Sequence, residues 1–307
     1  MSKKGDADVF KNVQCLEGSE GNVWKYIFDF GDAIAEAVLY CYGAFEERTV
    51  ICCSVQSGCP VGCGFCGTGK HFVRNLTVEE IVDQIDYILN DKGVEKNNST
   101  CAKFQIMFMS MGEPMLNWDQ VEGAIWFMYR HSGWRSNAQY LISTIGINDD
   151  EVFSKIINLS KQIPTLGLQF SIHRGFEHRR NELIPFKNKM NLRKLRDAGM
   201  TWNRVTGRKV YLNYCVTVEN STNQELSAIK DLFSPIIFNL TFSIVCNSDE
   251  SEKTNDDTTI LQNVNRSFSK EGYNTRIFNP AGKDDIGGGC GQLWYVQDWL
   301  RKHKEGF

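Results

Sequence analysis

From about residue 48 onward, short apolar runs alternate with amphipathic stretches. Strands that pack helices on their outer face produce this alternation, so repeated β-α units around a parallel sheet or barrel are expected. The expected strands are Val50–Val55, Phe104–Met109, Tyr140–Ser143, Leu166–Ile172, Val210–Val218 and Phe238–Val245. Between them, apolar residues at helical spacing predict helices within 118–131, 150–161, 222–233, 258–271 and 292–303. The best marked helix follows Thr77, where Thr77 and Glu80 form a capping box ahead of Val78, Ile81, Val82, Ile85, Ile88 and Leu89. Upstream, Val23–Phe28 and the weaker Ala33–Tyr42 predict a β appendage. The expected fold is therefore α/β, a partial (β/α)6 TIM-like barrel with a small N-terminal β appendage. The expected domains are an appendage over 1–47 and a core over 48–307. The polar, acidic stretch Asn247–Thr258 is expected to form a surface loop.

Composition narrows the function classes. With 42% hydrophobic and 23% charged residues, the 307-residue chain has an ordinary globular balance. No apolar run approaches the roughly 20 residues that span a bilayer, and the N-terminus is too polar for a secretory signal, so no membrane partner and a cytoplasmic location are expected. The net charge of −3 carries no general attraction for nucleic acid. It hides a local excess, however: eleven Lys or Arg against three acids between Arg174 and Lys209 make that segment +8. It is a candidate phosphate-facing surface, or a solvated helix face and loop.

Eleven cysteines, an odd number with Cys59, Cys63 and Cys66 inside eight residues, argue for a metal site in a reducing compartment and against a disulfide framework. Three thiolates on a glycine-containing loop can hold three irons of a [4Fe–4S] cube and leave the fourth iron open. A structural zinc with Cys52, Cys53 or His71 as fourth ligand is the competing assignment. Gly64–Lys70 also matches a phosphate-loop pattern, but His71 stands where that loop needs Ser or Thr, and Cys66 lies inside it.

The Cys-x3-Cys-x2-Cys spacing resembles the radical S-adenosylmethionine (SAM) superfamily. Further segments follow in the order seen in the RlmN/Cfr family of 23S rRNA adenine methyltransferases. They are Cys52 to Cys59, Gly67 to Lys70 with Arg74 to Thr77, Met109 to Asn117, Ile142 to Gly146, Phe170 to His173, and Asp284 to Leu293. The resemblance spans roughly residues 20–295. It implies a [4Fe–4S] cluster on Cys59, Cys63 and Cys66 whose open iron binds SAM, and a 5′-deoxyadenosyl radical formed on reduction. It also implies SAM contacts from Gly112, Glu113, Ser143, Ser171, Ile172, His173 and Asn247 at one rim of the barrel.

By the same resemblance Cys290 is methylated on sulfur and carries the methyl group to C2 or C8 of an adenine in RNA, rRNA or tRNA. Cys52 resolves the covalent adduct through a transient disulfide with Cys290, and Glu36 accepts a proton. Cys53, Cys15, Cys41, Cys101, Cys215 and Cys246 fit the core or the surface. A flavodoxin or ferredoxin is the implied one-electron donor. Ile145–Gly146 and Phe170–Ile184 lie closer to the Cfr pattern, which favours C8. Family members carry a helical N-terminal domain, whereas about 45 residues precede the core here. Arg174-Gly175 after His173, and Asn247 after Cys246, also depart from the family pattern. The same chemistry on DNA, a nucleotide or another small molecule therefore stands as an alternative, with a non-enzymatic zinc or iron–sulfur protein as a second.

Overall fold

The computed structural model describes residues 9–93, 101–130, 138–246, 258–289, 291–293, 295 and 298, apart from the Lys70 side chain. The chain opens with three antiparallel strands, β1 (Asn12–Glu17), β2 (Val23–Asp29) and β3 (Ile34–Cys41), and β3 pairs antiparallel with β4 (Arg48–Cys53). A separate ribbon of β5 (Gln56–Gly58) and β6 (Phe72–Asn75) follows. The sheet then continues in parallel from β4 through β7 (Lys103–Phe108), β8 (Gln139–Thr144), β9 (Leu166–Ser171), β10 (Val210–Val216), β11 (Phe238–Ile244) and β12 (Thr275–Phe278). The parallel run thus has seven strands, one more than expected.

Besides the ribbon strands β5 and β6, the two unpredicted strands of the main sheet lie at its edges and lack apolar runs. β1 and β12 are mostly exposed or half-exposed, and their pairing with β2 and β11 supplies the order that their side chains do not announce. The parallel connections carry helices: α1 (Val78–Asp91), α2 (Trp118–Arg130), α3 (Asp150–Gln162), α4 (Glu177–Leu183), α5 (Leu192–Thr206), α6 (Asn223–Leu232) and α7 (Thr258–Ser269). The capping box of α1 is formed in full: Thr77 Oγ1 accepts from Glu80 N at 3.2 Å, and Glu80 Oε2 accepts from Thr77 N at 2.9 Å. The expected helix over 292–303 falls almost wholly outside the described residues.

Strand alternation sorts the core. Thr49, Ile51 and Cys53 of β4 are buried on the helix side, while Arg48, Val50 and Cys52 face the concave side. The concave side encloses a cavity of about 660 Å³, lined by small or polar residues such as Gly167, Asn213 and Thr241 and by larger ones such as Tyr40, Met107 and Tyr211. Large side chains fill the interior of an ordinary eight-stranded barrel; here Gly167, Asn213 and Thr241 leave part of that interior open.

Among the described residues the sheet's two edge strands do not pair with each other. Residues 279–293 leave β12 and cross onto β2 and β3, where Leu293, Ala281 and Ile286 pack with Val23, Ile27 and Val38 in a second apolar cluster. Tyr40 meets Phe278 edge-on with ring centroids 5.8 Å apart, and its hydroxyl donates to Gly288 O. Side chains and a loop close this flank of the barrel.

Candidate active site

The C-terminal ends of β4, β7, β8 and β9 bring most of the expected site residues together. The cysteine loop leaves β4 through β5 and returns through β6, with Cys59 N donating to His71 O at 2.7 Å and Cys66 N to Cys63 O at 3.1 Å. Burial, with the charges of Cys66 and Glu113, pushes the Cys59 thiol up to about 12 against the pull of backbone N–H groups of Val61 and Gly112 facing its sulfur. Burial and the charges of Cys66 and Cys59 likewise hold Cys63 well above the usual thiol range. Cys59 and Cys63, two buried thiols that resist becoming anions on their own, stand with Cys66 on one loop as the donor set expected for a strongly cationic partner, which makes thiolates favourable.

A mononuclear ion gathers its ligands on one point, and among the described residues no three His, Cys, Asp or Glu side chains do so. A cube instead takes each thiolate on a different iron. Cys53, a candidate fourth zinc ligand, is buried on the helix side with its thiol facing Met107 O at 3.7 Å. The residues present fit an iron–sulfur cube.

Glu113 stands beside this loop at the end of β7. It is buried, and its carboxylate accepts from Thr144 Oγ1 at 2.5 Å, Ile145 N at 2.9 Å and Met115 N at 3.0 Å. Burial raises its pKa to about 7 against the pull of these donors. An ammonium group arriving here would meet a pre-aligned carboxylate and favour its ionised form. The preceding Gly112 has φ +98, and a Cβ there would fall 2.6 Å from Gln56 Cβ, so only glycine brings this turn against β5. The turn is pinned from the other side by Glu113 N, which donates to Gln56 Oε1 at 2.9 Å.

Ser143 is buried, and its hydroxyl accepts from Gln169 Nε2 at 3.0 Å. Ser171 ends β9, and the buried Ile172 leads into His173, which has φ +56. His173 Nδ1 accepts from Cys215 N at 3.1 Å, and its ring meets Phe65 of the cysteine loop edge-on at 4.9 Å between centroids. Burial, with Arg180 and Arg174 nearby, lowers its pKa to about 3 and keeps the imidazole neutral. Its side chain therefore serves as a neutral spacer between β10 and the cysteine loop.

On the closed flank, Cys52 lines the lumen together with Gly288, Gly289 and Gly291, the neighbours of Cys290. Burial pushes the Cys52 thiol up to about 12. Cys290 and Asn247 themselves lie outside the described residues. Glu36 is buried on β3, where its Oε2 pairs with Lys25 Nζ at 2.7 Å and its Oε1 accepts from Tyr295 N at 3.0 Å. Lys25 Nζ also donates to Gly287 O and Gln292 O, both at 3.2 Å. A second tether comes from the cysteine loop, where Gly67 N donates to Gly291 O at 2.8 Å and Thr68 Oγ1 to Leu293 O at 2.9 Å. Lys25 escaped the sequence reading; its only signal was a lysine inside the apolar run Val23–Asp29.

The +8 segment is largely engaged within the protein. Arg180 is buried and donates to Met190 O and Ile145 O, Arg208 reaches Ile163 O, and Lys209 reaches Pro235 O. Arg179 pairs with Glu225, Lys194 with Asp150, and Arg196 with Asp197. The segment braces α4 and α5 more than it offers an open cationic face.

Residues 53–209 match the model of the Radical SAM superfamily, just over half of the chain and including all three loop cysteines. The chain belongs to this superfamily. It is thus a radical SAM enzyme, of a family whose cofactors are a [4Fe–4S] cluster and SAM. Among curated proteins it is 29% identical over 285 residues to the probable dual-specificity RNA methyltransferase RlmN of Finegoldia magna, covering 92% of this chain and 77% of that protein. It is 34% identical over 217 residues to the protein of the same description in Dictyoglomus thermophilum, covering 69% of this chain and 58% of that one. Among solved structures, a radical SAM methyltransferase from Sphaerobacter thermophilus superposes with a TM-score of 0.79 at 23% identity, over 92% of this chain and 81% of that one. Among the described residues no helix is long and apolar enough to cross a membrane.

Proposed function

We propose that this radical SAM enzyme methylates an sp2 carbon of adenine, C2 or C8, in RNA by way of a methylated Cys290. The observation that carries the reading is the placement of Cys52 on the same lumen as Gly288, Gly289 and Gly291, on the flank tethered to the cysteine loop. The RNA methyltransferases among its relatives supply the substrate class. Cys59, Cys63 and Cys66 would hold the cluster, and Glu113 with Gly112, Ser143, Ser171, Ile172, His173 and Asn247 would hold SAM. When bound, the cluster and SAM supply the methyl group and the radical chemistry that an unactivated carbon requires.

The protein's own groups orient and separate these steps. Glu113 receives the cofactor's ammonium in a dry recess, where the attraction exceeds its value in water. Glu36, whose Oε2 lies 2.7 Å from Lys25 Nζ, would be the proton acceptor. Burial keeps Cys52 a thiol, and so a poor nucleophile, until the adduct on Cys290 comes within reach. Its sulfur then bonds to the Cys290 sulfur as the bond between that sulfur and the adduct's methylene carbon breaks; the carbon leaves with the electron pair and takes up a proton to become the product's methyl group, while Cys52 gives up its thiol proton. A flavodoxin or ferredoxin would deliver the electron.

The test uses anaerobically reconstituted enzyme. Mass spectrometry after SAM treatment is expected to find one methyl group on Cys290, and Cys52→Ala is expected to retain cross-linked RNA. A Cys290 peptide that never gains 14 Da while SAM is still cleaved would defeat the methyl-carrier route. RNA-free Cys52→Ala with methylated Cys290 would move the substrate to a small molecule.

A further inference from the structure

The site residues occupy the C-terminal ends of the strands, yet the lumen extends to the opposite mouth, where the N-terminal ends lie. Arg48 is the first residue of β4, Lys103 the first of β7, and Arg276 the second of β12, and all three line the cavity. Arg48 and Lys103 are register partners on neighbouring strands, which places like charges side by side. Arg276 comes from the far edge of the sheet. Lys103 is lowered from its ordinary range by burial, then by the charges of Arg276 and Arg48, so all three converge electrostatically.

Opposite charge does not offset them. Among the described residues none of the three makes an ion pair with a carboxylate, in contrast to the paired cations of α4 and α5. Arg48 Nε donates to the neutral Gln105, and its guanidinium lies 4.5 Å from the Tyr42 ring centre. Arg276 donates to Tyr211 Oη at 2.7 Å and lies 4.7 Å from that ring's centre. The two aromatic rings and the amide orient the guanidinium groups without neutralising them. A fold that holds two half-buried cations and an exposed third around one mouth carries repulsion that an anion would relieve.

We propose that this N-terminal mouth is a phosphate-binding site, separate from the cluster and SAM end of the lumen. Two planar forks and one ammonium match the several oxygens of a phosphate monoester or diester. The attached lumen, at about 660 Å³, lies within the range of small-ligand sites and can admit a group carried by that phosphate. The proposal is independent of the methyl-transfer reading, which bears only on what carries the phosphate.

Isothermal calorimetry on reconstituted enzyme would compare inorganic phosphate, adenosine 5′-monophosphate, adenosine and a short oligoribonucleotide. Saturable binding of phosphate and of the monophosphate is expected, with adenosine much weaker. Lys103→Met and Arg276→Gln should each weaken it by about tenfold, as loss of a charged hydrogen-bond donor does. Thermal melts add a check on folding: without anion, Lys103→Met should melt no lower than wild type because repulsion is removed, and phosphate should raise wild type more than the variant. Tighter binding of the oligoribonucleotide than of the monophosphate would identify a phosphodiester chain as the source; equal binding of inorganic phosphate would identify a free oxyanion. Unchanged affinity in both variants, or no saturable binding of any phosphate by wild type, would overturn the site whatever becomes of Cys290.

Discussion

Replacing Lys25 by Met should unlatch the closed flank at a cost that the surroundings of the pair allow to be worked out. Lys25 and Glu36 are both fully buried and 2.7 Å apart, and the ammonium also satisfies two loop carbonyls. Removing one member of such a pair leaves a carboxylate without its cation in a dry place, a loss of about 3–5 kcal/mol. Against a total stability of about 5–15 kcal/mol this is severe. Lys25→Met/Glu36→Gln should recover much of the loss, because no charge is then stranded and the glutamine can still accept from Tyr295 N.

The sign with pH separates charge from packing. In Lys25→Met the stranded Glu36 is expected to titrate above its unfolded value, so the folded form binds the extra proton. The variant's deficit should therefore shrink as pH falls from 8 to 5. Urea unfolding of wild type, both single variants and the double variant at several pH values gives the coupling directly. A deficit below about 1 kcal/mol for Lys25→Met, or one that does not change with pH, would refute the account.

Other expectations follow from separate features. The unfolded chain takes up a proton on His173 near its ordinary value of 6.5, whereas the folded imidazole resists to about 3; stability is fully present above 6.5 and falls by about 2 kcal/mol on going to pH 5. His173→Asn, which tolerates the positive φ and keeps an acceptor for Cys215 N, should flatten that slope in urea titrations; an unchanged slope would remove His173 as its source. Gly112→Ala should lower stability by about 1–3 kcal/mol through its φ and its clash with Gln56, and should weaken SAM binding measured by calorimetry. Thr77→Ala should cost about 1 kcal/mol in urea unfolding and leave SAM affinity unchanged, since the capping box serves only the start of α1.

Much of the parallel sheet was legible because buried strands must be apolar, and the loop cysteines were legible because their spacing is local. Phe238–Ile244 and Leu166–Ser171 announce themselves by composition. Thr275–Phe278 does not: its arginine faces the lumen mouth and its order comes from β11. The Lys25–Glu36 pair was illegible for another reason. A charge inside an apolar strand has meaning only once its partners are known, and two of them are carbonyls from the other end of the chain. The basic segment after Arg174 misled in the opposite direction, because charge counted along the chain does not reveal that Arg180 and Arg208 serve internal carbonyls.

The flank closed by residues 279–293 also sets the order in which the molecule can be completed during synthesis. Lys25 and Gly287 are 262 residues apart, and at translation speeds of about 5–20 residues per second that gap lasts on the order of 13 to 50 seconds. Throughout that interval the nascent strands β2 and β3 lack the carbonyls that solvate their lysine and the apolar cover of their concave face. These strands, which leave the ribosome well before their partners, are thus among the last to reach their final surroundings, and chaperone dependence should concentrate there.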